Sequence, residues 1–378
     1  MLSSLLRYRE GQIDQGIADL TKLLEITEGK KQLQIRSLAA LTLGRMYFQK
    51  AQFKDSFQAY LKVDRNSPYW ITAMTEQAWD QIMVEDFEGA AGNMFSLHTD
   101  FFKNTYAPET YLIRTVSYLN LCQYGDSLNV LNNMRRRYIP WAQKLETFEK
   151  NKKDKAAYYE TVKFWLRNMD MKEVEGVPRH FIFELASHPS FKNVQNQINN
   201  YEDELVKFNQ IAITLARIEK EATQKQVKFL EDKKMPADQK NRGIAAAKVE
   251  QQIAKNARQS IKDLRGLAIE RIEKEQVSLK NQAAQAIASR YKSLKGELIK
   301  ILEQNEVLQY EIHAGAGEHL RYQMAGGDVN PKDRPELKAE KGKSVIWEFK
   351  GEVWEDEIGH YRSSLKNVCP SNTAQVGG

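Results

Sequence analysis

The chain has 378 residues, 42% of them apolar and 28% charged, and its 56 basic and 50 acidic side chains leave a formal charge of +6. That length accommodates two or three domains, and the composition argues against disorder throughout. With only Cys122 and Cys369 there is neither a disulfide framework nor a thiolate metal site, although one disulfide stays open and with it the redox compartment. No basic stripe interleaved with aromatics is present, so nucleic acid is not expected as a partner, and no apolar run reaches the length of a membrane span.

Near the start, Gly11, Ile13, Gly16 and Leu20 read as the second half of a helix pair whose first helix would begin before Met1. The expectation is a coding sequence that starts inside a structural unit, with any export signal upstream of it. Residues 38–68 hold Leu43-Gly44, Tyr47, Phe53, Ser56, Tyr60 and Pro68. Small residues recur where two helices would cross, large apolar ones fill the gaps, and a proline follows at the turn into the next pair. This spacing resembles a tetratricopeptide repeat, which implies antiparallel helix pairs stacked side by side. Advancing 34 residues from Gly44, Phe53, Ser56 and Tyr60 lands on Ala78, Phe87, Ala90 and Met94. A further unit is offset by three more residues, with Tyr118, Tyr124, Ser127, Leu131 and Pro140 in the equivalent places and the insertion expected in the loop 102–108. Residues 1–140 are therefore expected to form a repeat array with a concave and a convex face.

Carrying over the repeat's inner-helix positions puts Arg45, Phe48, Gln49, Trp79, Met83 and Asn120 on the concave side as candidate partner-binding residues. Burying such aromatic and methionine side chains returns about 1.5–3 kcal/mol each. They are expected to lie under a partner peptide or under a later helix of the same chain.

Residues 141–188 place Tyr158, Tyr159, Val162, Phe164, Trp165 and Leu166 in one dense patch and break at Gly176-Val177-Pro178, which reads as helices capping the open end of the array. Residues 189–315 read as a long helical hairpin. Tyr201, Phe208, Leu215, Ala222 and Phe229 recur every seven residues, the seam of a coiled coil, with Ile211 and Ile218 three residues after the second and third. Pro236 interrupts the run. A second helix follows, with Ile287, Tyr291, Leu294, Leu298, Ile301, Asn305, Leu308 and Ile312 at alternating steps of four and three. The simplest packing is an antiparallel hairpin hinged near Pro236, closed by Gly315 and Gly317, whose surplus length pairs with something else, self-association included. Asn305 on that seam either fixes register and partner number or is a solvated residue on a helix that rests against the array.

Residues 316–343, with Pro331 and Pro335, read as a linker. In 344–378, Val345, Trp347 and Phe349 follow the strand period, Gly351 turns the chain, and Trp354, Ile358, Tyr361 and Leu365 follow the helical one. The tail is thus a strand, a turn and a helix, with Trp347, Phe349, Trp354 and Tyr361 as candidate docking residues. The fold class expected is all-α: a tetratricopeptide superhelix, a long antiparallel coiled-coil hairpin, and a small β/α tail.

Catalytic chemistry finds little support. His180, Glu184 and His188 would converge on an unbroken helix, but Pro189 follows at once and no fourth ligand is evident, so surface histidines explain them better than zinc. Glu352, Glu355, Asp356 and Glu357, flanked by Trp347 and Trp354, suit docking better than acid–base work. No Ser-His-Asp, HExxH, Walker or CxxC arrangement occurs, so no catalytic residue, metal or cofactor is expected.

The stretch 347–361, downstream of the array and the long helices, resembles repeat proteins of predatory and gliding deltaproteobacteria. Similar proteins there are associated with adventurous gliding motility and envelope-spanning complexes, and the resemblance implies a periplasmic scaffold of the bacterial cell envelope. The expected function is non-enzymatic: a scaffold whose array binds a protein segment. The rivals are an envelope enzyme or enzyme activator with its chemistry in the tail, and a cytoplasmic adaptor binding a C-terminal peptide. The adaptor calls for a ring of Lys and Asn on the concave face, to which only Gln49 and Asn120 come near.

Overall fold

The computed structural model describes residues 2–29, 32–102, 105–152, 154–327 and 358–370. Its regular structure is almost entirely helical, and the chain forms two compact units, residues 1–143 with 296–378 and residues 144–295.

The first unit opens with α1 (Leu2–Arg9), α2 (Ile13–Ile26), α3 (Leu33–Gln49), α4 (Phe53–Tyr60), α5 (Trp70–Met83), α6 (Phe87–Leu97), α7 (Glu109–Asn120) and the part of α8 (Tyr124–Asn151) up to Gln143, the rest of that helix belonging to the second unit. Each odd-numbered helix turns into its even-numbered partner through three residues. One residue in each turn, Gly11, Ala51, Glu85 and Cys122, has φ between 56° and 78°, the left-handed conformation that ends a helix sharply. From Ala51 to Glu85 is 34 residues and from Glu85 to Cys122 is 37, so the period and its three-residue offset reappear in backbone geometry. From α1 to α7 each helix packs on the next, and α3, α5 and α7 also touch in succession. The crossing of α3 and α4 needs Gly44, because a Cβ there would stand 2.5 Å from the Tyr60 ring.

Pro140 does not turn the chain as expected; it lies inside α8. A mid-helix proline costs about 3 kcal/mol. The helix carries buried Val130, Leu131, Met134 and Tyr138 before it and buried Leu145 and Phe148 after it, each stabilising by about 1.5–3 kcal/mol. Continuing the buried stripe outweighs the lost hydrogen bond.

The last part of α12 (Ala237–Met324), from Gly296, also belongs to this unit and runs along α8. Arg135 donates to Gln309 at 2.7 Å, and buried Asn305 places Nδ2 3.2 Å from Met134 Sδ. Gly315 and Gly317 do not close the helix. Gly315 is a contact point, since a Cβ there would meet the Tyr124 ring at 2.6 Å. The end comes at Gly326, with φ of 83° and with Gly327 N–H bonded to Tyr322 O at 3.0 Å. The surplus length of the second helix thus covers the array's own last helix.

Among the described residues the expected tail helix is not formed either: past a turn at Ile358 and Gly359, residues 360–370 have no regular structure. Trp347, Phe349 and Trp354, with Glu352, Glu355, Asp356 and Glu357, lie outside the described residues.

The second unit contains α9 (Lys155–Arg167), a two-residue hairpin of β1 (Glu173–Val174) and β2 (Val177–Pro178), α10 (Arg179–Ser187), α11 (Pro189–Glu231) and the first part of α12. Glu175 and Gly176 both have positive φ, the conformation that a two-residue hairpin turn requires. Tyr291 is its hub: the ring lies 5.0–5.4 Å from those of Tyr158, Phe148 and Phe181, and its hydroxyl donates to Leu145 O at 2.7 Å. Lys225 pairs with Glu250 and Arg258 with Glu219, so α11 and α12 run antiparallel. Ala222 is fully buried on this seam, and the Phe229 ring fits against Gly243.

Candidate binding groove

Four of the six inner-helix candidates come together. Arg45, Phe48 and Gln49 from α3 and Trp79 from α5 line one pocket of about 580 Å³ with Tyr8, Tyr60 and Glu76. The spacing explains the convergence. Residues 45, 48 and 49 share a helical face, and 76 and 79 lie one turn apart on the next inner helix, which stacks directly on the first.

Glu76 is the polar centre of the pocket. Arg45 reaches it through Nε, 2.8 Å from Oε2, and through Nη2, 2.5 Å from Oε1, while the Tyr60 hydroxyl donates to Oε2 at 3.0 Å. The hydrogen bond to Glu76 raises the Arg45 pKa further, and burial followed by the Glu76 charge pushes the Tyr60 phenol upward. Both stay in their neutral-pH forms. On the rim, Trp79 Nε1 donates to Glu109 at 2.9 Å, which fixes the indole. The result is an aromatic-walled recess with a fixed ion pair at its centre. A side chain can insert there.

Met83 and Asn120 do not join it. Met83 is exposed at the last turn of α5, and Asn120 is exposed with its amide bonded to Val116 O within its own helix. Tyr8 and Glu76 were not singled out from the sequence, and Tyr60 was named there only as a packing residue of the repeat. Glu76 was legible as a carboxylate three residues before Trp79 on the same face.

Tyr361, the described docking candidate, does lie on the array. Its main chain rests on α6 at Gly92, where a Cβ would come within 2.2 Å of the Tyr361 carbonyl oxygen. Around it, Arg362 Nη1 donates to Asp86 at 2.9 Å, Ser363 N–H to Glu88 O at 2.8 Å, and Val368 N–H to Leu121 O at 3.1 Å. Ile358 is buried against Met74, Ala78, Ala90 and Met94. Cys369 is disulfide-bonded to Cys122, with Cα atoms 5.0 Å apart.

Of the zinc candidates, His188 falls beyond the end of α10 in extended backbone, with Nδ1 2.6 Å from Ser190 Oγ, so it leaves the face that His180 and Glu184 share. Among the described residues, no group of three or more His, Cys, Asp or Glu is placed to hold a metal, and no helix is long and apolar enough to cross a membrane. Comparison with protein-family models, curated proteins and solved structures finds no match for this chain.

Proposed function

We propose that this protein is a non-enzymatic scaffold in which a tetratricopeptide-type array binds a segment of a partner protein. The observation that carries the reading is the pocket at Glu76, where side chains from successive helix pairs converge on a recess large enough for one or two side chains. Its aromatic walls and fixed Arg45–Glu76 pair suit an extended peptide that inserts an apolar group and hydrogen-bonds beside it. A photo-crosslinker at position 49 should capture one partner from the native source. Trp79→Ala and Phe48→Ala should abolish that capture, and Phe164→Ala, at an exposed site in the other unit, should leave it intact. Equal capture by all three variants would defeat the proposal.

A cell-envelope location, with a place in a motility or envelope complex, belongs to the same reading. The Cys122–Cys369 bridge supports it over a cytoplasmic adaptor, because disulfides persist in oxidising compartments. Self-association through the long helices is the second part. Val206, Ile213 and Val227 are exposed on α11 at multiples of seven residues, a stripe that a second copy would cover. Sedimentation equilibrium should show a dimer that Ile213→Lys dissociates; a wild-type monomer at micromolar concentration would remove this part.

A further inference from the structure

A second recess lies between α4, α5 and α6, distinct from the pocket at Glu76. It has a volume of about 300 Å³ and is walled by Phe53 and Phe57 of α4, with Lys54, Asp55, Asp80 and Asp86 among its other lining residues. Asp80 is the unusual member. Only 1% of it is exposed, and neither carboxylate oxygen has a hydrogen-bond partner. The nearby Ser56 hydroxyl offsets the burial only in part, since its one proton goes to Gly44 O at 2.9 Å.

The array itself does not require this charge. Moving by the repeat offsets from Asp80 lands on Met46 in the preceding pair and Ser117 in the following one, both buried and uncharged. A buried carboxylate without donors is among the more destabilising groups a fold can carry. The recess beside it is lined by three carboxylates against one ammonium, and the tail already demonstrates which chemistry suits its rim: Arg362 places its guanidinium on Asp86. That leaves Asp80 as the buried acceptor without a donor of its own.

We propose that this recess is a recognition site for an arginine side chain of a partner protein, with Asp80 accepting from the guanidinium and Phe53 and Phe57 flanking its planar face. Arginine fits better than lysine because its planar fork donates to both carboxylate oxygens together and stacks on aromatic rings. Burial pushes the Asp80 pKa up to about 7, with the Ser56 hydroxyl opposing the shift and the Glu76 charge adding to it.

The test uses the full chain, labelled with ¹³C at aspartate side-chain carboxyls, at pH 8.5. The probes are the blocked peptide acetyl-Ala-Phe-Arg-Phe-Ala-amide and its citrulline counterpart, which keeps the shape and loses the charge. The arginine peptide is expected to shift the Asp80 carboxyl resonance saturably and to bind at least about tenfold more tightly than the citrulline peptide. Asp80→Asn, which keeps the side-chain shape and removes the buried charge, is expected to bind both peptides alike. No saturable shift up to about 10 mM, or equal binding of the two peptides by the wild-type protein, overturns the assignment whether or not the variant folds.

Discussion

Opening the Cys122–Cys369 bridge is the most direct test of how the first unit is held together. The bridged cysteines are 247 residues apart. Closing a loop of that length restricts the unfolded chain by about 5 kcal/mol on the loop-entropy account, a figure that changes slowly with length because it is logarithmic. The tail's other attachments are of similar total size. Burial of Ile358 contributes about 2 kcal/mol. The bonds from Ser363 and Val368 contribute about 1 kcal/mol each, and the half-exposed Arg362–Asp86 pair contributes about 1 kcal/mol at most. Cys369→Ser is therefore expected to lower the thermal midpoint of the first unit by about 10–20 °C, taking 2–4 °C per kcal/mol for a unit of this size. It should also speed amide exchange at Ser363 and Val368 by more than tenfold while leaving exchange at Tyr291, in the other unit, unchanged. Calorimetry and hydrogen exchange on the oxidised protein and the variant measure both effects. A midpoint drop of less than about 2 °C with unchanged exchange at Ser363 would refute the reasoning, because the tail would then be held by something other than the bridge and these contacts.

Gly92→Ala places a Cβ against the Tyr361 backbone, which cannot yield like a side chain, so oxidative refolding should leave several times more free thiol than in the wild type, read by thiol titration. Asn305 is fully buried with Oδ1 unpaired and Nδ2 held only by contacts to Met134 Sδ at 3.2 Å and Leu131 O at 3.5 Å, so Asn305→Leu should raise stability by about 1–3 kcal/mol in urea denaturation; a loss would mean that these two contacts outweigh the orphaned oxygen. Two groups give opposite pH dependences. The Asp80 pKa is raised to about 7 by burial and by Glu76, so its contribution favours low pH and is lost as pH rises from about 4 to 7, by at most about 4 kcal/mol. His98 has its pKa lowered by burial and by Arg114 and Arg137, so its contribution is present above about 6.5 and falls below that by up to about 1.4 kcal/mol per pH unit. The two slopes oppose each other between pH 5 and 6.5, and Asp80→Asn should unmask a rise of stability with pH there; an unchanged profile would mean that Asp80 titrates normally.

What could be read from the sequence was local and periodic. The left-handed turn residues at Ala51, Glu85 and Cys122 repeat at the spacing found from Gly44 and Tyr60, because each helix pair solves the same packing problem against its neighbour. Errors arose where tertiary contacts override a local signal. Pro140 and Gly315 look like helix ends in isolation, yet one sits in a stripe of buried residues and the other allows Tyr124 to approach. The steps of Trp354, Ile358, Tyr361 and Leu365 look helical. The described part of that stretch instead bonds to Glu88 O and Leu121 O at the ends of array helices, partners that no period within the tail encodes. The bridge was legible only as two cysteines without a known separation in space. Of the inner-helix candidates, Arg45, Phe48, Gln49 and Trp79 line one pocket while Met83 and Asn120 lie outside it, because the helical period gives a face without saying how far along the face a pocket extends.

The same periodicity offers a way to separate packing from recognition. Where equivalent positions carry interchangeable fillers, such as Gly44 and Ala78 at a crossing, the residue answers to packing alone. Where one unit replaces a neutral filler with a charge that nothing satisfies, as Asp80 does for Met46 and Ser117, packing does not account for the choice. Glu76 shows the other outcome: its charge is met within the chain by Arg45 and Tyr60, so it shapes a groove without demanding a partner. By this criterion the two recesses differ in kind. The one at Glu76 is a preformed mould whose affinity for a segment comes from aromatic burial, whereas the one at Asp80 is an incomplete pair whose affinity comes from the cation it lacks. Raising the ionic strength should therefore weaken binding at the Asp80 recess while leaving capture at the groove nearly unchanged.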